Sequence, residues 1–356
     1  MHVVVVGNDS GAVRVALELG RAPQINVTII SAATQFVAHS PLLHALQFAT
    51  GEMQAQLLKD AVKGYPNIKV VQDEPRSIDT DRRLLRGAAR SYSYDHLVIS
   101  RHEPSSHAQS IGTLTNLITT LKTQYETGQT TDTEIVVMGH DVESVEIILR
   151  LQEYCDSLYK GGDSKVRLSL VTTRTKILPE ASVQCRKYVR RHMARRGVTI
   201  QEGAHIDTSS PGLVRINRKK LPAAQVVTVE TRSADTFFAS QPIIFDLDED
   251  CRVRLSPYLE AYDHVYVIGA AAQILTDAMP TRILDMAEYV ADRIISPLHT
   301  PPYTPATAAM VIPLHAKAAY VEYFGMYVTG VVGAWACRMV AHRSRRLINQ
   351  QIHPQM

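Results

Sequence analysis

Cysteine is sparse and never paired in this sequence: Cys155, Cys185, Cys251 and Cys337 lie far apart with no CxxC among them. That spacing argues against a redox dithiol, a zinc site and a secreted disulfide framework alike, and no metal site is expected. An excess of one charge is also missing. Lys and Arg total 38 against 35 Asp and Glu, a net +3 that gives no general case for nucleic acid. The apolar tail is too short to span a bilayer: Tyr323 to Cys337 gives fifteen uncharged residues where roughly 20 are needed. No leader is expected, because Met1 runs straight into a strand, and the chain reads as cytoplasmic. What remains is an ordinary globular chain of 356 residues, 45% hydrophobic and 21% charged. That length suits two nucleotide-sized units plus an appendage.

The chain is organised around its first 31 residues. Val3 to Val6 form a buried strand, and a turn follows over Gly7-Asn8-Asp9-Ser10-Gly11. A helix is predicted from Ala12 to about Gly20, with Val13, Ala16, Leu17 and Leu19 inward, then a second strand at Val27 to Ile30. Such a βαβ opening usually carries G-x-G-x-x-G and an acid at the end of its second strand. Here those glycine places read Gly7, Asp9 and Ala12, with Gly11 beside the third, and the strand ends in Ser31. A side chain at the second place crowds a pyrophosphate, and a carboxylate repels it by roughly 1 to 4 kcal/mol at about 4 Å. Asp9 also suits a plain helix cap, which would put its carboxylate where a phosphate otherwise sits.

The same unit recurs about 130 residues later, which predicts two dinucleotide-type units in one chain. Ile135 to Met138 is the strand and Val145 to about Tyr154 the helix, joined by Gly139-His140-Asp141-Val142-Glu143-Ser144. The second glycine is again an aspartate, Asp141, and the third is Ser144. The next strand, Lys165 to Val171, ends in Thr172-Thr173-Arg174 without a carboxylate; Arg174 and Lys176 suit either a 2'-phosphate or the surface. Between the units, a short helix starts near Pro41 and stops at Gly51, and a linker helix spans Thr113 to Tyr125. Ser182 to Arg196 is a basic helix, read as a solvated face or a contact for phosphate or acidic lipid. Short strands fill Gly203 to Phe245, and a helix covers Arg282 to Ile294 before the proline-rich His299 to Pro305.

In the tail, Tyr320, Tyr323, Phe324, Tyr327 and Trp335 precede Arg338, His342, Arg343, Arg345 and Arg346. Aromatic rings flanked by arginines suit a membrane interface; a core or dimer helix is the other reading.

Ordered along the chain are wordings that resemble type II NADH dehydrogenases. Pro41, Leu42, Leu43, Ala49, Thr50 and Gly51 match that family's P-L-L and A-T-G, and Tyr94, Asp95, Leu97 and Val98 its Y-D-x-L-V. Gly139, Val145 and Glu146 match its second glycine motif with V-E, and Ile177-Leu178-Pro179 its L-L-P. Gly269 and Ala272 match its closing G-D-x-A, and Ala287, Glu288, Val290 and Ala291 its A-E-x-V-A. The departures are equally ordered. Ser100-Arg101-His102 replaces the A-T-G that follows Y-D-x-L-V, Ala270 replaces the aspartate of G-D, and Thr281-Arg282-Ile283 stands for T-A-Q.

The resemblance implies an α/β chain with two Rossmann-like dinucleotide-binding domains and a C-terminal membrane-associating helical appendage. Residues 1–112 would open the FAD-type domain, 113–240 form the inserted NAD(H)-type domain, 241–300 complete the first, and 301–356 hold the linker and the amphipathic membrane or dimer segment. An intact member takes hydride from NADH onto FAD and passes electrons to a membrane quinone. Cofactor positions carried over by the resemblance are Gly7, Gly11, Pro41, Leu42, Gly139, Glu146 and Gly269, with Asp9, Ser31, Arg101, Asp141 and Ala270 as departures. With every cofactor landmark altered, the expectation is a degenerate member that retains neither FAD nor NADH and has no catalytic residues. It would lie on the inner face of the cell membrane as a homodimeric scaffold or the partner of an active homologue. The alternatives are a working FAD-dependent NADH:quinone oxidoreductase and a nucleotide sensor that kept one site.

Overall fold

The computed structural model describes all residues except 38–39, 52–55, 101–103, 129–131, 160–165, 209, 211, 230–235, 250, 274–279, 306–308 and 340–356. Its helices are α1 (Ser10–Gly20), α2 (Pro41–Ala49), α3 (Leu58–Ala61), α4 (Pro104–Glu126), α5 (Val142–Leu158), α6 (Val183–Arg195), α7 (Thr236–Ala239) and α8 (Pro280–Ile295).

The four valines make the centre of a six-stranded sheet. Strand His2–Val6 runs parallel to Asn26–Ser31 on one side and His96–Ser100 on the other, with Val3 opposite Val27 and His96. Both faces of this strand are covered, which is why its sequence is continuously β-branched rather than alternating. Ile68–Gln72 extends one edge; Val265–Ile268 returns to pair with His96–Ser100, followed outward by Glu260–Tyr262. One sheet is thus built from the two ends of the sequence. On one face, α1 and α8 pack Val13, Leu17, Ala287 and Val290 against it. On the other lie Leu85, Tyr92 and the rings of Phe237, Phe238 and Phe245.

A second parallel sheet has the order Thr199–Gln201, Val166–Val171, Thr133–Met138, Val226–Thr228. Its core joins α4 (Leu114, Leu117, Leu121), α5 (Ile148, Leu151) and α6 (Cys185, Val189, Met193). Helix α2 belongs to this core as well: Leu42, Leu43 and Leu46 pack into it although their sequence neighbours belong to the first sheet.

Several boundaries differ from the periodicity. Both α1 and α5 start earlier than their apolar patterns do, because Asp9 and Asp141 accept the N–H groups of Ala12 and Ser144 and so cap them. The proline segment is strapped down: the Tyr289 hydroxyl donates to the Pro301 carbonyl at 2.7 Å, and the Tyr303 N–H to that of Pro257 at 2.7 Å.

The largest correction concerns the appendage, which is not helical over its aromatic part. Met310–His315, Ala318–Tyr323 and Met326–Thr329 form an antiparallel sheet, followed by helix only over residues 330–339. Ile312 and Leu314 alternate inward, and Tyr320 on the central strand is fully buried. Phe324 and Gly325 both take positive φ, 49° and 75°, as two-residue hairpin turns require. No helix among the described residues is long and apolar enough to cross a membrane.

Packing of α1 on α8 includes one buried charge. Arg14 bonds Glu18 at 2.6 Å on its own helix and Glu288 at 2.5 Å on the other. Removing the guanidinium strands a half-buried carboxylate, so Arg14→Ala should cost about 2 to 4 kcal/mol in urea denaturation. Glu288→Gln, at the more exposed end of the bridge, should cost under about 1 kcal/mol.

Candidate functional site

Ligands of open parallel sheets bind beyond the carboxyl ends of the strands, where the strand order reverses. In this molecule that point lies between His2–Val6 and His96–Ser100, and three chain segments meet there. The first is the turn at Gly7, whose φ of 139° and closeness to the Ser100 carbonyl leave no room for a Cβ. Ser100 itself, fully buried, ends the second. Gly269, φ 81°, starts the third; a Cβ there would lie 3.3 Å from Ser100 Oγ and 3.7 Å from Asp9 Oδ2.

Asp9 bonds the first two and lies beside the third. It is 4% exposed, its Oδ1 accepts the Ala12 N–H at 2.9 Å, and Ser100 Oγ donates across both carboxylate oxygens at 2.7 and 2.9 Å. Gly11 closes the group, since a Cβ there would meet Ser100 Oγ at 2.6 Å and Ile283 Cγ2 at 2.8 Å. A carboxylate already occupies the helix N-terminus that would otherwise receive a phosphate. A pyrophosphate placed here would meet a like charge and compete for the same donors, so these residues do not fit one.

Other positions carried over from the resemblance lie nearby or elsewhere. Ser31 is buried at the end of its strand, and its hydroxyl accepts the Ala33 N–H at 3.1 Å. Ala270 supplies no side-chain oxygen beside Gly269. Arg101 lies outside the described residues. Pro41 opens α2, and Leu42 is buried in the second core rather than brought to the Gly7 crevice.

The second unit repeats the pattern. Gly139 sits so close to Ser144 that a Cβ would overlap its side chain. Asp141 Oδ1 accepts the Ser144 N–H at 2.9 Å and its hydroxyl at 2.5 Å. Ser40, the cap of α2, accepts the Leu43 N–H at 3.1 Å and donates its hydroxyl to Glu143. Burial, reinforced by the charges of Asp141 and Glu146, pushes the Glu143 carboxyl up to about 8. Glu146 receives both Nε and Nη2 of Arg150, at 3.0 and 2.9 Å. Thr172 Oγ1, after the second strand, accepts the Arg174 N–H at 3.1 Å, while Arg174 and Lys176 are exposed. Ser100 and Ser40 were not singled out as site residues in the sequence. The visible signal was only that Ser100 stands at the first place of the lost A-T-G.

Cys155 and Cys185 are buried thiols outside any disulfide. Burial pushes the Cys155 and Cys185 thiols up to about 12, so neither offers a thiolate. Tyr323, Phe324, Tyr327, Trp335 and Arg338 are exposed on the appendage, whereas Arg343, Arg345 and Arg346 lie outside the described residues.

Two dinucleotide-type units with a C-terminal sheet define the fold class of the flavoprotein oxidoreductases. The chain belongs to the pyridine nucleotide-disulphide oxidoreductase family, whose profile matches residues 1–289. That family includes type II NADH dehydrogenases, and its members normally bind FAD and NAD(P)H. Sulfide:quinone oxidoreductase from Aquifex aeolicus is similar in structure, with a TM-score of 0.78 and 16% identity over 99% of this chain and 93% of that one. NDH2 from Plasmodium falciparum, solved in complex with NADH, gives 0.74 and 10% over 99% and 97%. An NAD-dependent persulfide reductase from A. fulgidus gives 0.67 and 14% over 90% and 63%. No curated protein matches the sequence significantly.

Glu143 supplies a pH signature. Its folded value of about 8 lies above the ordinary 4.5, so the fold favours the neutral acid. The contribution is complete below about pH 4.5 and lost as pH rises through about 8. Thermal melts of Glu143→Gln should therefore diverge upward from wild type between those values and run parallel to it below them.

Proposed function

We propose that this protein is a cofactor-free member of its family that works at a membrane surface as a non-catalytic partner or scaffold of an active homologue. The observation that carries the reading is the Asp9 carboxylate held by Ser100 and Ala12 in the place of a pyrophosphate. Asp141, although exposed, likewise caps the second helix through Ser144, which supports loss of both nucleotides over divergence at one site.

The membrane half of the reading is supported by a helix that is inside out. Over residues 330–339, Gly333 and Ala334 are buried while Val331 (66% exposed), Val332, Trp335 (60%) and Met339 face outward. With Phe324 (69%) and Tyr327 they give the appendage exposed apolar and aromatic side chains, of the kind that seat at a lipid headgroup layer. The side concerned is the inner face of the cell membrane, and the oligomer a homodimer or a pair with the active homologue.

A second reading, an active FAD-dependent NADH:quinone oxidoreductase, is favoured by the family match over residues 1–289. The two separate on purified protein. The first expects no visible flavin absorbance and no bleaching by NADH, even after incubation with FAD. A yellow protein that NADH bleaches overturns it in favour of the second.

A further inference from the structure

Helix α6 carries more charge than its fold needs. Cys185, Val189 and Met193 form its buried row. Two of its arginines are engaged on one flank: Arg186 donates to the carbonyls of Leu178 and Ala181, and Arg190 pairs with Glu202. Directly opposite the buried row, Lys187, Arg191 and Arg195 repeat at a spacing of four and are exposed. None of the three has an ion pair or hydrogen bond among the described residues. Three like charges in one lane repel one another, so the lane costs stability unless something anionic lies against it.

That lane runs beside the apolar surface of the appendage. Tyr188, next to Lys187, accepts the N–H of Gly330 at 3.0 Å where the inside-out helix begins, and its ring packs on Tyr320 at 5.9 Å. His192, one turn on, stacks on Tyr188. The acids near the helix are engaged elsewhere: Glu202 with Arg190, Glu153 and Asp156 with Arg196 just past its C-terminal end, and Glu322 at its start. Glu322 there is held by the hydroxyls of Ser182 and Tyr320, both at 2.7 Å, and Glu180 shares with it the lining of a cavity of about 190 Å³.

We propose that α6 is part of the membrane-binding surface, its Lys187, Arg191 and Arg195 lane engaging anionic phospholipid headgroups while Phe324, Tyr327, Val331 and Trp335 enter the interface beside it. The inference rests on the membrane-surface reading and extends it: the second nucleotide-type unit, and not the appendage alone, lies against the bilayer. Apolar and aromatic groups give binding that any phospholipid satisfies, whereas the cation lane adds a component that requires anionic lipid and weakens with salt.

The full chain is floated with vesicles of phosphatidylcholine alone and of phosphatidylcholine mixed with phosphatidylglycerol, at low and high salt. Wild type should partition better into the mixed vesicles, by about tenfold or more at low salt, with the advantage shrinking at high salt. The triple variant Lys187→Gln, Arg191→Gln, Arg195→Gln should lose that advantage and keep its binding to phosphatidylcholine. Phe324→Ser with Trp335→Ser should lose binding to both. All five side chains are exposed, and circular dichroism checks that each variant folds. If the triple variant keeps the full anionic advantage, the inference about α6 is wrong while the membrane reading stands. Wild type that binds neither vesicle overturns both, and points to a protein partner for the apolar surface.

Discussion

Asp9 sits where three segments distant in sequence meet: it caps the first turn, bonds Ser100 at the end of the fourth strand of its sheet in sequence order, and lies beside Gly269 just after the return strand. A carboxylate this deeply buried is tolerable because donors answer it, among them the Ala12 N–H and the Ser100 hydroxyl. The Ala12 N–H belongs to the start of α1, so the carboxylate takes a donor of the kind that a helix N-terminus offers to anions. The α1 turn, the close approach of Gly11 to Ile283 on α8 and the seating of Gly269 are all grouped around that carboxylate.

The pattern is shared by other helix starts. Asp141 caps α5; Ser40 caps α2 while donating to Glu143, and Ser182 caps α6 while donating to Glu322. In each case a partial positive charge is met from within the chain. These contacts also stitch the molecule: Ser40 to Glu143 joins the α2 segment to the second unit, and Ser182 to Glu322 joins that unit to the appendage. Polar groups at these helix starts hold the architecture together. The cation lane of α6 and the apolar face of the appendage lie outside this stitching, where an external surface is the natural complement.

Both βαβ units are legible in the sequence because their signals are local: β-branched runs, a glycine at the first turn position, and helical spacing of leucine and valine. The family wording at Pro41, Tyr94, Gly139 and Gly269 is legible for the same reason. The appendage is not. Phe at the first turn position hides the hairpin, and fifteen uncharged residues with glycines read by composition as one amphipathic segment, while the backbone alternates as strands. Nor does periodicity say that α2 leaves its neighbours for the second core, since an amphipathic helix specifies an apolar face and not which surface covers it.

By itself the sequence determined that Asp9 and Asp141 stand where glycines would, that two similar units follow one another, and that aromatic and basic residues gather near the end of the chain. Those are properties of residue type and short-range spacing. Only the tertiary structure decided that Ser100, ninety-one positions from Asp9, supplies a hydroxyl donor to it, and that Trp335 faces out while Gly333 faces in. Burial and hydrogen-bond partnership belong to surfaces brought together by packing, and nothing in a local stretch of chain specifies which surface arrives.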